Sequence, residues 1–325
     1  MSEKKLPFVS VIISTRNEQN NIGRCLDSIL KTEYPKDKFE VVVVDGSTDD
    51  TAKIVERYPV RLIKNIGGGA ALARNIGIRN AKGSIVALVD ADTTVHPNWL
   101  IELVKCFGTD KRIMSVGGQN ITPPDSSEFC SLAGKVYSSF LGGGGTRFGK
   151  VGGDICETYH NPGCNVALKR ETFDIVGPYT ESIIPVGEDL EMDARIREHG
   201  YKLLYTPKSI VYHRRKDGMK NFLKQSYVYG AVRGRLTKMH WNLFNIFLVI
   251  PSMAIISFPI ALLVAFFYPV FGYVTLTALI LYLLVCFLSA LKQTNGVKNI
   301  ITMVAMYMGH HLCYGLGFLK GMFTG

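Results

Sequence analysis

Acidic residues are confined to the first part of the chain, and this asymmetry limits the folds open to it more than any other feature. All 27 Asp and Glu residues precede Asn242, and the tail that follows carries only three lysines as charged residues. A long apolar segment without carboxylates suits lipid better than water. The sequence therefore predicts a water-exposed domain in 1–215, a basic amphipathic juxtamembrane helix in 216–241 and a membrane domain in 242–325.

The tail contains three apolar stretches, each near the ~20 residues that a helix needs to cross a bilayer core. They run from Phe244 to Tyr268, from Phe271 to Leu291 and from Ile300 to Phe318. The third contains His310 and His311, so a re-entrant or interfacial segment stays open as an alternative to a third span. With three spans, the carboxyl terminus would lie on the face opposite the amino terminus.

Basic residues are concentrated just before this tail. From Lys208 to Lys238 there are nine Lys or Arg and one acid, Asp217. The positive-inside rule then places the first domain in the cytoplasm of a cell-membrane protein. The net charge of +10 favours anionic lipid head groups or a lipid phosphate over nucleic acid as partners, although any cytoplasmic domain ahead of a span carries such residues.

Short apolar runs alternate with helical patterns in the first domain. Runs typical of buried parallel strands lie at Phe8–Ser14, Phe39–Val44, Val60–Ile63 and Ser84–Val89, and residues at helical spacing follow each run. This alternation predicts an α/β fold with a doubly wound, mostly parallel sheet. Ligands of such sheets bind at the carboxyl ends of the strands.

Polar side chains collect at that edge. Asp90 and Asp92 follow the fourth run, Asp45 ends the second, and Arg16 and Glu18 follow the first. Two carboxylates one residue apart suit Mg²⁺ or Mn²⁺, which keep open positions for a diphosphate. Because Asp is common in turns, the pair is a weak indication without its neighbours.

The order of several motifs is more specific than any one of them. They are VSVIISTRNE (Val9–Glu18), VVVVDGSTDDT (Val41–Thr51), GAALARNIG (Gly69–Gly77), LVDADT (Leu88–Thr93), GCNVAL (Gly163–Leu168) and GEDLEMDARIREHG (Gly187–Gly200). Together they resemble glycosyltransferase family 2, whose catalytic domain has the GT-A fold. The resemblance implies transfer of a sugar from a UDP- or GDP-linked donor.

The same resemblance implies roles for single residues. The donor-binding set is Ser14, Arg16, Glu18, Asp45, Arg74 and Asp90. In that set the first loop and Asp45 would hold the base and ribose, Arg74 would lie near the donor, and Asp90 would support the ribose side.

Metal binding and catalysis are implied for the residues that follow. Asp92 would bind the metal, and His213 resembles the late histidine that can complete the metal site, although a surface or packing role is equally open. Asp189 matches the catalytic base. It also lies with Glu188 in the first turn of a predicted helix, where the helix dipole favours an ionised carboxylate. Helix capping alone would produce the same acidic start.

The acceptor side is expected to involve Glu188, Asn165 and Arg233. One departure from the family concerns processive members, which carry Q-x-x-R-W before their channel helices. Here Gln225 is followed by Ser-Tyr-Val-Tyr, so the Arg-Trp platform is missing. We therefore expect a non-processive enzyme that adds one sugar per encounter.

The interpretation that these residues favour is an inverting, metal-dependent glycosyltransferase that moves one sugar to a hydroxyl of a lipid-linked saccharide. A polyprenyl-phosphate sugar synthase, in which a lipid phosphate attacks the sugar, stays open. So does a membrane scaffold that binds a sugar nucleotide without catalysis. Gly67–Gly69 imitates a dinucleotide fingerprint, but Leu72 occupies its sixth position and the glycines follow the third strand, which argues against a dehydrogenase.

Overall fold

The structure is a computed structural model that describes residues 6–65, 67–144, 152–182, 186–215 and 217–324. The chain divides into two compact units, Met1–Pro123 with Arg147–Arg214, and Pro124–Thr146 with Arg215–Gly325. The boundary between the units follows Arg214, and the sequence analysis ended the water-exposed domain at residue 215. Segment 124–146, however, packs with the helical tail, whereas the sequence analysis placed it in the first domain.

Nine strands form one sheet within the described residues. They are β1 (Val9–Thr15), β2 (Phe39–Asp45), β3 (Arg61–Lys64), β4 (Ile85–Asp90), β5 (Thr93–Val95), β6 (Ile113–Ile121), β7 (Cys156–Thr158), β8 (Val166–Lys169) and β9 (Lys202–His213). Along the sheet the order is β3-β2-β1-β4-β8-β6-β9-β5, and β7 pairs with β9.

The α-helices of the described residues are distributed over both units. They are α1 (Ile22–Leu30), α2 (Thr51–Val55), α3 (Ala70–Asn80), α4 (Trp99–Cys106), α5 (Glu128–Ser138), α6 (Phe140–Gly143), α7 (Glu171–Val176), α8 (Glu188–Glu198), α9 (Met219–Met239), α10 (Ile246–Phe267), α11 (Pro269–Gln293) and α12 (Val297–Phe323). The first unit contains α1 to α4, α7 and α8, and the second contains the others.

The first half of the sheet is parallel, as the alternation of strands and helices predicts. Strands β3, β2, β1 and β4 pair in parallel, whereas β8 is antiparallel to both β4 and β6. The sheet as a whole is therefore mixed. The parallel half brings the carboxyl ends of its strands to one edge, and this is the edge at which the site lies.

Both faces of the sheet are covered, which explains the continuous apolar runs. In β1, Val11 and Ile13 belong to a core cluster that also contains Leu26 of α1 and Leu103 of α4. Ile12 points to the other face, where its cluster contains Met192 of α8. Successive side chains of a strand point to opposite faces, so a strand covered on both sides must be apolar throughout.

In the second unit, α10 and α11 are long and apolar enough to cross a membrane. Most of their large apolar side chains are exposed. These are the first two of the three predicted spans. The third predicted segment forms α12, whereas among the described residues only α10 and α11 meet the criteria of length and composition; a third span stays a prediction.

Glycines join α12 to α9 along much of their length. A Cβ atom on Gly230 would lie 2.0 Å from the Tyr314 carbonyl oxygen, and one on Gly234 would lie 2.2 Å from that of Phe318. Gly230 faces Tyr314 and Gly234 faces Phe318, so the residue numbers of the facing positions increase in the same direction along both helices. The helices α9 and α12 therefore run parallel. Such close backbone approach is typical of paired G-x-x-x-G helices. The predicted basic helix is therefore half of a helix pair.

Polar side chains fasten the short helices of segment 124–146 to α12. His310 Nε2 lies 2.9 Å from the Gly142 carbonyl oxygen, and His310 Nδ1 lies 2.9 Å from Ser226 Oγ. His311 Nε2 lies 2.8 Å from the Leu141 carbonyl oxygen. These long-range bonds explain why this segment belongs to the helical unit although it interrupts the α/β sequence.

Candidate active site

Three predicted donor-binding residues lie side by side at the carboxyl edge of the parallel strands. Ser14 of β1 is paired in register with Asp90 of β4, and Asp45 of β2 is paired with Thr15 of β1. Asp45 is buried, and its Oδ1 atom accepts hydrogen bonds from the Ser47 N–H at 3.2 Å and from the Ser47 hydroxyl at 2.5 Å. The parallel register thus brings together residues up to 76 positions apart, Ser14 and Asp90.

The loops after β1 and β2 are tied to each other. Asn17 has a left-handed backbone with a φ of 58°, and its side-chain oxygen accepts a hydrogen bond from the Thr48 N–H at 2.9 Å. The N–H of Asn17 donates to Ser47 Oγ at 2.7 Å, and that of Glu18 donates to Thr51 Oγ1 at 2.9 Å. These hydrogen bonds offset the conformational cost of the left-handed backbone of Asn17. They join the loops after β1 and β2 into one rim at the carboxyl edge of the sheet.

Two further donor candidates belong to this rim. Arg16 is exposed, and the half-buried Glu18 carboxylate accepts a hydrogen bond from the Asn21 side chain at 2.8 Å. A rim with an exposed guanidinium and a held carboxylate suits a nucleotide base and its ribose. Their individual roles stay predictions.

Arg74 is the centre of a buried ion-pair cluster. It is 5% exposed, contacts Glu188 of α8 through Nη1, and lies 3.2 Å from the Asp90 carboxylate through Nη2. Burial disfavours the guanidinium charge, but Glu188 and Asp90 hold the pKa of Arg74 above its ordinary value. The centroid of the Tyr179 ring lies 5.8 Å from the guanidinium carbon. The guanidinium of Arg74 is therefore buried between two carboxylates and an aromatic ring.

The carboxylates of this cluster are strongly affected by burial. Burial raises the pKa of Asp90, while Arg74 works in the opposite direction. Burial likewise raises the pKa of Glu188, which is 6% exposed. Glu188 was predicted on the acceptor side, and the described contact is with the donor-side Arg74. Its acceptor role stays a prediction.

Asp92 and His213 meet as a possible metal-binding pair. The His213 Nε2 atom lies 3.2 Å from Asp92 Oδ2, because Thr93 of β5 is paired in register with His213 of β9. Burial opposes the imidazolium charge, yet the hydrogen bond to Asp92 raises the pKa of His213 to about 10. A proton and a metal cation would therefore compete for this pair.

The donor set at this position fits Mg²⁺ or Mn²⁺. Among the described residues no group of three or more His, Cys, Asp or Glu could hold a metal. The metal ligands that the sequence analysis expects are one carboxylate, Asp92, and one imidazole, His213. Magnesium is commonly held by one or two protein carboxylates together with substrate phosphates and water. Carboxylate ligands suit magnesium and manganese, whereas imidazole is more typical of zinc, copper, iron and nickel, so Asp92 is the ligand that matches the two expected ions best.

Asp189 lies in the first turn of α8, as the sequence predicts. Its Oδ2 atom accepts a hydrogen bond from the Gly163 N–H at 2.9 Å, and its Oδ1 atom accepts one from the Leu190 N–H at 2.8 Å. Burial acts to raise its pKa, but the charges of His160 and Arg74 and the two backbone donors outweigh burial and lower the pKa. Asp189 is therefore an oriented, ionised carboxylate.

Two residues beside Asp189 were missed by the sequence analysis. His160 Nδ1 lies 2.8 Å from Asp193 Oδ2, and burial raises the pKa of Asp193 to about 6. Asp193 follows Asp189 by one helical turn, a spacing that places both on one face. This spacing could have revealed Asp193 from the sequence. His160 precedes the matched GCNVAL segment, and no sequence pattern points to it.

The two remaining acceptor candidates have structural partners. Asn165 is fully buried, accepts a hydrogen bond from the Trp99 indole N–H at 2.8 Å and donates to the Gln119 carbonyl oxygen at 2.7 Å. Arg233 lies on α9 in the second unit and donates to the Leu243 carbonyl oxygen at 2.8 Å. Both acceptor roles stay predictions.

The buried ion-pair cluster around Arg74, the Asp92–His213 pair and the held carboxylate of Asp189 thus all lie in the first unit. A sequence profile described as glycosyl transferase family 2 matches residues 10–150, and one described as glycosyl transferase family group 2 matches 85–291. The second match covers more than half of the chain, so the chain belongs to glycosyl transferase family group 2. It is a glycosyltransferase with a GT-A-type catalytic fold, as the motif order indicates.

Curated relatives agree with this assignment. Glycosyltransferase AglE of Haloferax volcanii is 31% identical over 207 residues, which cover 62% of this chain and 64% of that protein. A Methanococcus voltae enzyme is 25% identical over 98% of both chains; its name is dolichyl N-acetyl-alpha-D-glucosaminyl phosphate 3-beta-D-2,3-diacetamido-2,3-dideoxy-beta-D-glucuronosyltransferase. The chain thus spans less than two thirds of AglE but nearly all of the second relative.

A solved structure has the same fold over almost the whole chain. The mannosyltransferase PcManGT of Pyrobaculum calidifontis, in complex with GDP-mannose and Mn²⁺, aligns with a TM-score of 0.68 at 22% identity and covers 99% of this chain and 88% of its own. At this identity the likeness concerns the fold, and it extends through the helical tail.

Proposed function

We propose that this glycosyltransferase moves one sugar from a UDP- or GDP-linked donor to a hydroxyl of a lipid-linked saccharide, with inversion, at the cytoplasmic face of the membrane. The observation that carries the proposal is Asp189, an ionised carboxylate that two backbone N–H groups hold in one orientation. A carboxylate of this kind can accept the proton of an attacking hydroxyl.

The donor would lie along the carboxyl edge of the parallel strands. Ser14, Asp45 and the rim made by the two loops provide hydrogen-bonding groups for the base and ribose. Arg74 and Asp90 provide charged groups that would contact the ribose side of the donor. The ion pairs of Arg74 fix its guanidinium before the donor arrives, which lowers the reorganisation that binding requires.

Asp92 and His213 would hold Mg²⁺ or Mn²⁺. When bound, such a cation supplies positive charge for the departing diphosphate. The Pyrobaculum mannosyltransferase and a GalNAc transferase with a TM-score of 0.53 were both solved with Mn²⁺, which supports a divalent cation without choosing between the two metals.

Transfer would be a single displacement. The acceptor oxygen forms a bond to the anomeric carbon while the bond from that carbon to the diphosphate oxygen breaks, and the acceptor proton passes to Asp189. Because one attack occurs opposite the leaving group, the anomeric configuration inverts. The proposed base and metal pair are sufficient for this route, and no covalent sugar intermediate is required.

Two features favour a lipid-linked saccharide as the acceptor. The Methanococcus relative, which matches over 98% of both chains, is named as acting on a dolichyl-phosphate-linked sugar. In addition, α10 and α11 can anchor the chain in a membrane. A hydroxyl acceptor also gives Asp189 its function, because a lipid phosphate is already ionised and needs no base.

Two spans change the expected topology. A hairpin of α10 and α11 returns the chain to the side from which it entered, so α9 and α12 lie on the same face and can form their glycine-packed pair. With two spans Gly325 is expected in the cytoplasm, whereas three spans would place it on the opposite face.

The test is a panel of UDP- and GDP-sugars offered to the purified chain with a membrane lipid extract, with mass spectrometry of the products. We expect a lipid-linked saccharide whose mass rises by one sugar. A long ladder would contradict single addition. A product made of one sugar on a lipid phosphate would favour the polyprenyl-phosphate sugar synthase. Neither transfer nor donor hydrolysis with any donor would favour the binding-only scaffold.

A further inference from the structure

The exposed side chains of α12 lie on one side of the helix. Between Lys298 and Lys320 every exposed position is apolar, and at 3.6 residues per turn these positions fall within an arc of about 80°. We call this surface the α12 stripe; it consists of Ile301, Ala305, Met308, Leu312 and Leu316. The stripe thus presents an apolar surface with a lysine beyond each end.

The polar side chains of α12 point the other way. Tyr307 Oη lies 2.9 Å from Ser289 Oγ and accepts a hydrogen bond from the Gln293 side chain at 2.7 Å. His310 is buried, and its Nδ1 atom lies 2.9 Å from Ser226 Oγ. These residues make α12 as a whole less apolar than α10 and α11, but they do not reach the stripe. Polar side chains of helices in lipid face the interior of the helix bundle in the same way.

Both ends of α12 lie near the open end of the α10–α11 hairpin, where α10 begins and α11 ends. Only residues 294–296 separate the end of α11 from the start of α12. The last turns of α12 pack on those of α9, since a Cβ atom on Gly234 would lie 3.2 Å from the Met322 backbone nitrogen. Residues 240–245 then join α9 to the start of α10. Connections of three and six residues span at most about 11 and 22 Å, so neither end of α12 can be far from the open end.

The middle of α12 contacts the same part of the hairpin. His311 Nδ1 lies 2.8 Å from Tyr282 Oη of α11, and the Ser252 hydroxyl of α10 donates to the Gly315 carbonyl oxygen at 3.2 Å. Both contacts lie in the half of the hairpin away from its turn at Tyr268. With 27 residues α12 is about 40 Å long. It can keep both ends near the open end only by lying across it rather than alongside the two spans.

We propose that α12 lies in the plane of the cytoplasmic membrane interface, with the α12 stripe among the acyl chains and Lys298 and Lys320 at the phosphate head groups. The inference rests on the membrane anchoring by α10 and α11 that the proposed function includes.

Lipid is the occupant that suits the stripe for two reasons. The stripe belongs to a helix that contacts α10 and α11, whose large apolar side chains are mostly exposed, so hydrocarbon around the hairpin also reaches α12. No Asp or Glu follows Asp217 in the chain, and anionic head groups therefore meet only neutral or basic side chains of α9 and α12. Lysine stems can lie along apolar surface while their ammonium groups reach the phosphates.

The experiment measures the depth of single tryptophans in the full-length chain. The chain is reconstituted into vesicles of phosphatidylcholine and phosphatidylglycerol whose acyl chains carry bromine at a series of depths, and quenching of tryptophan fluorescence is recorded. Trp241→Phe provides the background, because the remaining Trp99 is fully buried in the first unit. Into it are placed Ile301→Trp, Met308→Trp and Leu316→Trp, which sample the stripe over 15 positions.

Two controls define the scale. Leu281→Trp, an exposed position in the middle of α11, should lie near the bilayer centre, about 15 Å from either edge of the hydrocarbon. His199→Trp, at the exposed end of α8, should not be quenched. We expect all three stripe tryptophans at one shallow depth, about 5–10 Å below the head-group boundary.

Three results would overturn the inference. Met308→Trp as deep as Leu281→Trp, with Ile301→Trp and Leu316→Trp shallower, would show that α12 crosses the bilayer. Stripe tryptophans that are not quenched while Leu281→Trp is quenched would mean that water or a second copy of the chain covers the stripe. If Leu281→Trp is not quenched either, the proposed membrane anchoring fails as well. Agreement among three separate stripe variants, each with the wild-type circular dichroism spectrum, protects the result against misfolding of one of them.

Discussion

Replacing Asp189 by Asn separates a catalytic from a structural role with particular clarity. The carboxylate accepts one backbone N–H at each oxygen, from Gly163 and from Leu190. Asparagine keeps one acceptor oxygen and presents an NH₂ group to the other donor, so about one hydrogen bond is lost. The expected decrease in the free energy of unfolding is about 1 kcal/mol.

The expected effect on transfer is much larger. Loss of a general base lowers the rate by roughly 10² to 10⁴, which corresponds to about 3–5 kcal/mol in the activation free energy. Since asparagine has nearly the same shape, donor affinity should change little. The variant is therefore expected to bind the nucleotide sugar, to unfold at a slightly lower temperature and to transfer very slowly.

The assay measures initial transfer rates to a hydroxyl acceptor, donor affinity by calorimetry, and the anomeric configuration of the product by NMR. Asp174→Asn, an exposed carboxylate on α7, is the control and should behave as wild type. Retention of configuration, or transfer by Asp189→Asn within threefold of wild type, would refute the reasoning.

The other predictions test the metal pair, the ion-pair cluster and the helical tail. Asp92→Ala and excess chelator should each abolish transfer with the fold intact by circular dichroism; full turnover in chelator would exclude a metal role. Glu188→Ala should lower the free energy of unfolding by about 3 kcal/mol, because Arg74 stays buried with one partner lost; an unchanged denaturant midpoint would contradict this. A reporter fused after Gly325 should be labelled in the cytoplasm, and external labelling would restore the third span.

Much of the fold and part of the site follow from local patterns. Strand β1 and its neighbours were predictable because apolar runs covered on both faces leave a continuous signature. The positions of Asp92 and Asp189 in the fold were predictable because one follows a strand and the other lies at the start of a helix, each within a motif; their metal and base roles stay predictions. For these residues, the type of side chain and its place in the local pattern were sufficient to predict its position in the fold.

Long-range partners could not be predicted in the same way. Arg74 and Glu188 are 114 positions apart, and their pairing depends on how α3 and α8 pack against the sheet. His160 lies in a loop without a strong pattern, so only its bond to Asp193 reveals it. In each case the interaction energy belongs to a pair that the chain brings together only on folding.

The amino-acid sequence by itself determined the division between a charged α/β unit and a tail without acids, because apolar periodicity and charge act locally on each segment. It also determined which edge of the sheet carries the carboxylates. Only the tertiary structure decided that segment 124–146 joins the helical tail and that α9 pairs in parallel with α12 through Gly230 and Gly234. Glycine leaves no hydrophobic signal, and its effect is expressed only when a second backbone approaches closely enough to use the space.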